Sequence, residues 1–251
     1  VPNLTKLAQV TARGTLVKPL LHQFAMSDDV ASISIRVDRP VIRRHDGWFH
    51  ASQHPLLSDH ELYQWMTRTS EPEDMSYTAR MSVMFGSCAH GIVEAFLAWA
   101  GIAVPLPAGE CPACGRAYRP LRARPSDRYC TEHGFASLAT RSRCHLDSIL
   151  DFKDGPLWGF DFKTIHQFGL KDVRDMDLDG FREKWPGYWA QGQECMRLSG
   201  LRRYVFLFMT LGNPWETREF HIPFDPAFAV ATEEKYLAVL SHLERGVPIV
   251  A

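Results

Sequence analysis

The sequence predicts an α/β fold in which a central β-sheet is flanked by helices, and three observations lead there. Periodic segments follow one another as helix, insertion, strand, strand, helix, strand, strand, helix. Of 251 residues, 45% are hydrophobic and 23% charged, enough apolar surface for a full core. No internal repeat or low-complexity tract breaks the pattern. This length fits one large domain with an insertion: a flanking region over residues 1–82 and a core over 83–251, interrupted by an insertion at 105–135.

Element by element, SISIRVD (Ser32–Asp38) alternates like a short strand, and Glu61–Thr69 reads as a helix behind a Ser58/Asp59 cap. MFGSCAHGIVEAFLAWAG reads as a buried helix from Met84, closed by Gly101, with His90 and Glu94 four apart on one face. Cys144–Phe152 and Leu157–Ile165 are two strands joined by KDGP. A polar connector (171–185) leads to a helix from about Gly187 to Ser199, then strands at Arg203–Thr210 and Thr217–Phe224, then a C-terminal helix. Within the connector, DMDLDG (Asp175–Gly180) imitates the start of a calcium loop. Its twelfth position is Pro186 where a bidentate Glu is needed, so calcium is not expected.

The net charge of −1 exerts no global pull on polyanions or membranes, so any polyanion site must be local. No uninterrupted apolar run approaches the roughly 20 residues of a membrane helix. VPNLTKLAQV lacks the basic-then-apolar order of a secretion signal, and three of the six cysteines are spaced like metal ligands. An intracellular, cytoplasmic setting is expected.

The tripeptide DFK occurs twice, at Asp151–Lys153 and at Asp161–Lys163. If Lys153-Asp154-Gly155 is a three-residue hairpin loop with Gly155 left-handed, Phe152 pairs with Pro156 and Asp147 falls opposite Asp161. Asp161 and Lys163 share a strand face, which gathers two carboxylates and one ammonium. Asp151 lies about 13–14 Å along the strand from Asp147, at roughly 3.4 Å per residue, and has no such partner. Two carboxylates on adjacent strands suit Mg²⁺ or Mn²⁺, hard cations that polarise a phosphodiester and acidify bound water. The tripeptide alone is weak, since ordinary frequencies give about one D-x-K in a chain of this length.

Its surroundings strengthen it. GSCAHGIVEAFLA, CHLDSIL, WGFDFKT and YWAQGQECMRLSG occur in this order, over about 85–100 and 140–210. The series resembles the PD-(D/E)XK nuclease superfamily, chiefly its RecB-type exonuclease branch, and the Tyr188-x-x-Gln191-x-Gln193 spacing is similar to phage lambda-type exonucleases. The resemblance implies a restriction-endonuclease-like core with a mixed sheet. It implies His90, Asp147 and Asp161 as catalytic-metal ligands with the Phe162 backbone carbonyl. Lys163 would serve the attacking water, and Gln191 would orient Lys163 or a phosphate. Glu94 is either a supporting group or a helix-face carboxylate. Two departures stand out: Cys195 where relatives carry Tyr, and Cys144-His145-Leu146 where many have a glycine. Some relatives bind an iron–sulfur cluster through one upstream and three C-terminal cysteines. No cysteine follows Cys195, so this does not carry over.

The insertion gives Cys111-x2-Cys114-x15-Cys130-x2-His133, the spacing of a closed tetrahedral Cys3His zinc site with a structural role. It is also basic. Arg116, Arg119, Arg122, Arg124, Arg128, Arg141 and Arg143 face only Asp127 and Glu132, which suits a phosphate backbone, with Tyr188 as a further DNA contact. The expectation is therefore a Mg²⁺- or Mn²⁺-dependent deoxyribonuclease with structural zinc. Its partner would be DNA, at linear ends or single-stranded regions, with a recombination or replication protein as a further candidate. Exonuclease action comes from the resemblance alone. The alternatives are a structure-selective or restriction-type endonuclease and a non-catalytic zinc-containing DNA-binding or adaptor protein.

Overall fold

The computed structural model describes residues 16–27, 46–68, 76–118, 129–153, 155–165, 175–210 and 216–249. The expected strand at Ser32–Asp38 lies outside them. The helices are α1 (Lys18–Ala25), α2 (Asp59–Thr67), α3 (Tyr77–Ala100), α4 (Leu178–Lys184), α5 (Pro186–Ser199) and α6 (Pro226–Glu244). A small sheet holds β1 (Phe49–His50), β2 (His133–Ser137) and β3 (Ser142–Leu146) in the order β1-β3-β2. The larger sheet holds β4 (Ser148–Leu150), β5 (Trp158–Ile165), β6 (Arg203–Thr210) and β7 (Thr217–Pro223) in sequence order.

Both sheets are mixed. β5 and β6 run parallel, between antiparallel pairs β4–β5 and β6–β7. A parallel pair needs a crossover, which the segment carrying α4 and α5 supplies. Helices cover both faces, which explains why RYVFLFMT is apolar throughout instead of alternating. Val205, Leu207 and Met209 pack with Phe160 and Phe162 under α1 and α3, against Val93, Phe96 and Leu97. Tyr204, Phe206 and Phe208 face the other way, toward Phe181 of α4 and Trp189, Cys195 and Met196 of α5. Each fully buried aromatic or aliphatic side chain contributes about 1.5–3 kcal/mol. A separate cluster joins β1, α2 and α6 through Phe49, Leu62, Tyr236 and Val239.

Local chemistry sets the helix starts. Ser58 accepts from Glu61 N at 3.3 Å while the Glu61 carboxylate accepts from Ser58 N at 2.8 Å, a reciprocal capping box. Helix α3 starts at Tyr77 behind a Ser76 cap, earlier than its apolar pattern suggested. Its first turns are largely exposed, with Tyr77 at 78% and Phe85 at 57%, so no buried stripe announces them. By length and composition alone α3 is long and apolar enough to cross a membrane, a test that a core helix also passes, and Val93, Phe96 and Leu97 pack it against the sheet. Its serines, glycines and His90 interrupt the run without lowering the mean hydropathy far. The calcium-like DMDLDG opens a helix instead: Asp177 caps α4, accepting from Gly180 N at 2.8 Å.

Two buried acids tie the layers. Glu194 of α5 takes Arg197 through two hydrogen bonds of 2.8 Å, and Arg197 Nη2 donates to Ser142 Oγ at 2.8 Å, joining α5 to β3. Glu219 of β7 accepts from the backbone N–H groups of Leu16 at 2.8 Å and Val17 at 2.9 Å, and also from that of Lys18. It thereby caps α1 from more than 200 residues away, with His221 Nε2 at 3.0 Å. Burial works against the Glu219 charge, but His221 and the three N–H groups outweigh it and hold its pKa below the usual value.

A lowered carboxylate pKa contributes stability above the unfolded-state value near 4.5 and loses it as pH falls through the folded value. Glu219→Gln is expected to lower unfolding free energy by about 2–3 kcal/mol at pH 7, because the helix N–H groups lose a charged acceptor. Urea titration should show that gap shrinking below about pH 4.5, as the wild-type carboxylate protonates.

Candidate functional site

The pairing of β4 with β5 sets the site. Ser148 pairs with Phe160, Ile149 with Gly159 and Leu150 with Trp158, so the same register brings Asp147 opposite Asp161. The turn differs from expectation: Lys153, not Gly155, is left-handed, at φ 71. The Asp151 carboxylate accepts from Lys153 N at 2.7 Å and from Lys153 Nζ at 3.0 Å. The first DFK copy thus closes on itself as a turn at the surface. The expected strand Cys144–Phe152 is also interrupted: β3 and β4 belong to different sheets, and Asp147 stands between them.

Around that acid the structure gathers residues from four elements. His90 of α3 places Nδ1 3.4 Å from Asp147 Oδ2, and its ring meets Phe162 edge-on at 5.1 Å. Phe162 N donates to Asp147 Oδ2 at 2.7 Å. Lys163 Nζ donates to Asp161 Oδ2 at 3.3 Å and sits 5.6 Å from the Tyr188 ring and 5.7 Å from that of Phe206. Gln191 Nε2 donates to the same Asp161 oxygen, so Gln191 orients the carboxylate instead of the lysine. Side-chain exposure rises from 3% at Asp161 through 15% at Asp147 and 21% at Lys163 to 34% at His90. The site therefore opens on the His90 side.

Gly86, one turn before His90, faces β5: a Cβ there would lie 3.8 Å from Thr164 Oγ1. Sequence reasoning missed Tyr204, which fills the floor of this region. A Cβ on Gly159 would collide with the Tyr204 ring, so the glycine makes its space. The Tyr204 hydroxyl is buried near Asp161 and Cys195, and burial first, then the Asp161 charge, push its pKa up.

The electrostatics are unbalanced. Burial first, against the pull of Lys163 and with help from the Asp147 charge, pushes the Asp161 carboxyl up to about 7. Burial likewise raises Asp147, helped by Glu132 and opposed by His90 and Lys163. Burial opposes the Lys163 charge as well, but Asp161 and Asp147 outweigh it and hold the ammonium protonated. His90, Asp147 and Asp161 are neighbours, though not gathered within one coordination sphere. Among the described residues, two carboxylates and an imidazole around one lysine form an oxygen-rich donor set short of positive charge, which fits a hard divalent cation. The Phe162 carbonyl expected beside it belongs to the residue whose N–H holds Asp147.

Among the described residues, the tight cluster of metal-type ligands is elsewhere. The donor atoms of Cys111, Cys114, Cys130 and His145 all lie within 4.8 Å of one another, a set that could bind zinc. The expected fourth ligand, His133, is not in it. Along β2 and β3, His133 pairs with Leu146 and Gly134 with His145, so His133 and His145 face opposite ways. His133 turns inward, its Nε2 3.1 Å from Val104 O, while His145 Nε2 reaches 3.5 Å from Cys111 Sγ. Gly134 admits the thiol, since a Cβ there would collide with Cys111 Sγ. The CHLD stretch carried the signal, because alternation along β3 puts His145 on the opposite face from Leu146, the residue that pairs with His133.

The arginines divide. Arg119, Arg122, Arg124 and Arg128 lie outside the described residues, and Arg116 and Arg141 are exposed. Arg143, expected at a DNA surface, is drawn inward. It donates to Ala113 O at 2.8 Å and to Asp46, and lies 5.6 Å over Trp48. Tyr188 stands beside Lys163, where an aromatic ring can meet a substrate.

No protein-family model matches this chain, and no curated protein does. Among solved structures it is similar to an alkaline exonuclease from Laribacter hongkongensis, at 14% identity and a TM-score of 0.47, over 80% of this chain and 89% of that one. The same enzyme in complex with dAMP gives 14% and 0.46 over the same shares. The protein SSO0001 gives 13% and 0.40, over 88% of this chain and 83% of that one.

A carboxylate whose folded pKa is raised costs stability once pH exceeds its unfolded value, and the cost grows until the folded value is passed. Metal-free Asp161→Asn is therefore expected to match wild type near pH 4 and exceed it by about 1–3 kcal/mol at pH 8, given a folded value of about 7. Thermal melts across that range in chelator check it. A variant less stable than wild type at pH 8 contradicts the electrostatic account.

Proposed function

We propose that this chain is a divalent-metal-dependent DNA nuclease of the PD-(D/E)XK type, and within it an end-processing exonuclease of the RecB-type branch. The observation that carries the reading is the buried pair Asp147 and Asp161 with Lys163 as the one ammonium beside them among the described residues. A fold keeps an under-neutralised carboxylate pair in its interior at a cost to stability, and such sites mark chemistry. His90, Asp147 and Asp161 would hold Mg²⁺ or Mn²⁺, which when bound supplies Lewis acidity and a more acidic water.

The chain's own residues do the rest. Lys163 donates to Asp161, which places its ammonium to donate to a phosphate oxygen or to anchor a water. Gln191 fixes the Asp161 carboxylate from α5, and the Phe162 N–H fixes Asp147. The Tyr188 ring gives the opening a surface on which a base can stack. Arg116 and Arg141, exposed beyond the site, suit a phosphate backbone. Exonuclease action, a setting in recombination or repair and phage origin rest on the motif resemblance, and a cytoplasmic location on cysteines spaced like metal ligands.

Linear and circular DNA incubated with Mn²⁺ test this. Wild type is expected to degrade linear DNA and spare circles, and Lys163→Ala to lose about 10²–10³ in rate while still binding DNA. Circles cut as fast as ends would replace the exonuclease reading with an endonuclease. A wild type that binds DNA and cuts none would leave only a binding protein.

A further inference from the structure

We propose that Cys111, Cys114, Cys130 and His145 bind one zinc ion, and that this ion fixes the strand end that delivers Asp147. The ligand set stands on geometry. Tetrahedral zinc with sulfur at about 2.3 Å and nitrogen at about 2.0 Å spaces its ligand atoms about 3.5–3.8 Å apart. Cys111 Sγ and His145 Nε2 are already 3.5 Å apart, and all four donors fall within 4.8 Å. Cys111 is 0% and Cys130 5% exposed, and all three thiols are free. The segment is folded to present them. Cys111 N donates to Arg116 O at 2.8 Å, Gly115 N to Cys111 O at 2.8 Å, and Cys130 N to Ala117 O at 2.9 Å. Apart from Ala113, Tyr118, Leu106 and the cysteines themselves, this cluster has little apolar packing to hold it, so a metal is the staple its size requires.

The link to the active site is topological. Three ligands come from the cysteine segment and the fourth from β3, two residues before Asp147. Asp147 lies in neither β3 nor β4, and among the described residues its carboxylate is held by Phe162 N at 2.7 Å and His90 at 3.4 Å. An ion on His145 adds a fixed point at the end of β3. Four protein ligands leave this ion no open position, so its part is positional. The coupling rests on the metal-dependent reading proposed above; the ligand set does not.

Zinc content and Mn²⁺ affinity measured on four proteins separate the two. Wild type, His133→Asn and His145→Cys are expected to carry one zinc per chain, the last through a four-cysteine site, and His145→Ala well under half of one. Calorimetric Mn²⁺ affinity should fall at least about fivefold in His145→Ala and stay within twofold of wild type in the other two. A zinc-free wild type, or full zinc in His145→Ala with loss in His133→Asn, overturns the ligand set. Unchanged Mn²⁺ affinity in zinc-depleted His145→Ala overturns the coupling. If His145→Ala fails to fold by circular dichroism, His145→Cys decides alone, because loss of zinc there contradicts a ligand at this position. A wild type without Mn²⁺ affinity overturns the coupling and the nuclease reading together, while the zinc counts still judge the ligand set.

Discussion

Among the described residues, two buried carboxylates, Asp147 and Asp161, share the interior with a single ammonium, that of Lys163, and elements from both layers are arranged around them. Asp161 is almost fully buried, and its neighbours are chosen to hold its charge in place without cancelling it: one lysine, one glutamine side chain, one aromatic floor. Contrast Glu219, equally buried but surrounded by three backbone N–H groups and a histidine, which is satisfied and lowers its pKa. Glu194 is intermediate: burial holds its pKa above the usual value, although both Arg197 hydrogen bonds pull it down. The protein can neutralise a buried acid when the acid is structural. At Asp147 and Asp161 it leaves the deficit, and the difference between these environments is the clearest physical marker of where chemistry belongs.

The architecture supports that deficit by being rigid on both sides. Strand β6 is buried on each face, so β5 beside it has a fixed partner for its whole length. Helix α3 brings His90 from one layer and α5 brings Gln191 and Tyr188 from the other. The cluster is thus built on regular elements, whose side-chain directions are set by backbone geometry more firmly than a loop could set them.

Much of this was legible from the sequence, for local reasons. The hairpin register followed from counting across KDGP, and it places Asp147 opposite Asp161 as read. The apolar run of β6 announced a strand covered on both faces, and Ser58 announced α2. What stayed hidden was non-local. Helix α1 depends on an acid more than 200 residues away, so nothing near Lys18 reveals its cap. Cysteine spacing pointed to His133 because proximity in sequence favoured it, while strand alternation sends that ring inward and offers His145 instead. One strand was also expected straight through Asp147: alternation runs only from Cys144 to Asp147 and breaks at Ser148, where the chain changes sheets.

That change of sheets has a consequence for how such a site can vary. Asp147 belongs to neither ladder, so the small sheet and everything it carries can be lengthened, trimmed or exchanged without removing one main-chain bond from β4 through β7. Alterations there reach the acid as a rotation and not as a broken pairing. A junction of this kind separates inheritance of the reacting groups from experimentation with their appendages. It is the place where a graft of new binding surface would be tolerated best.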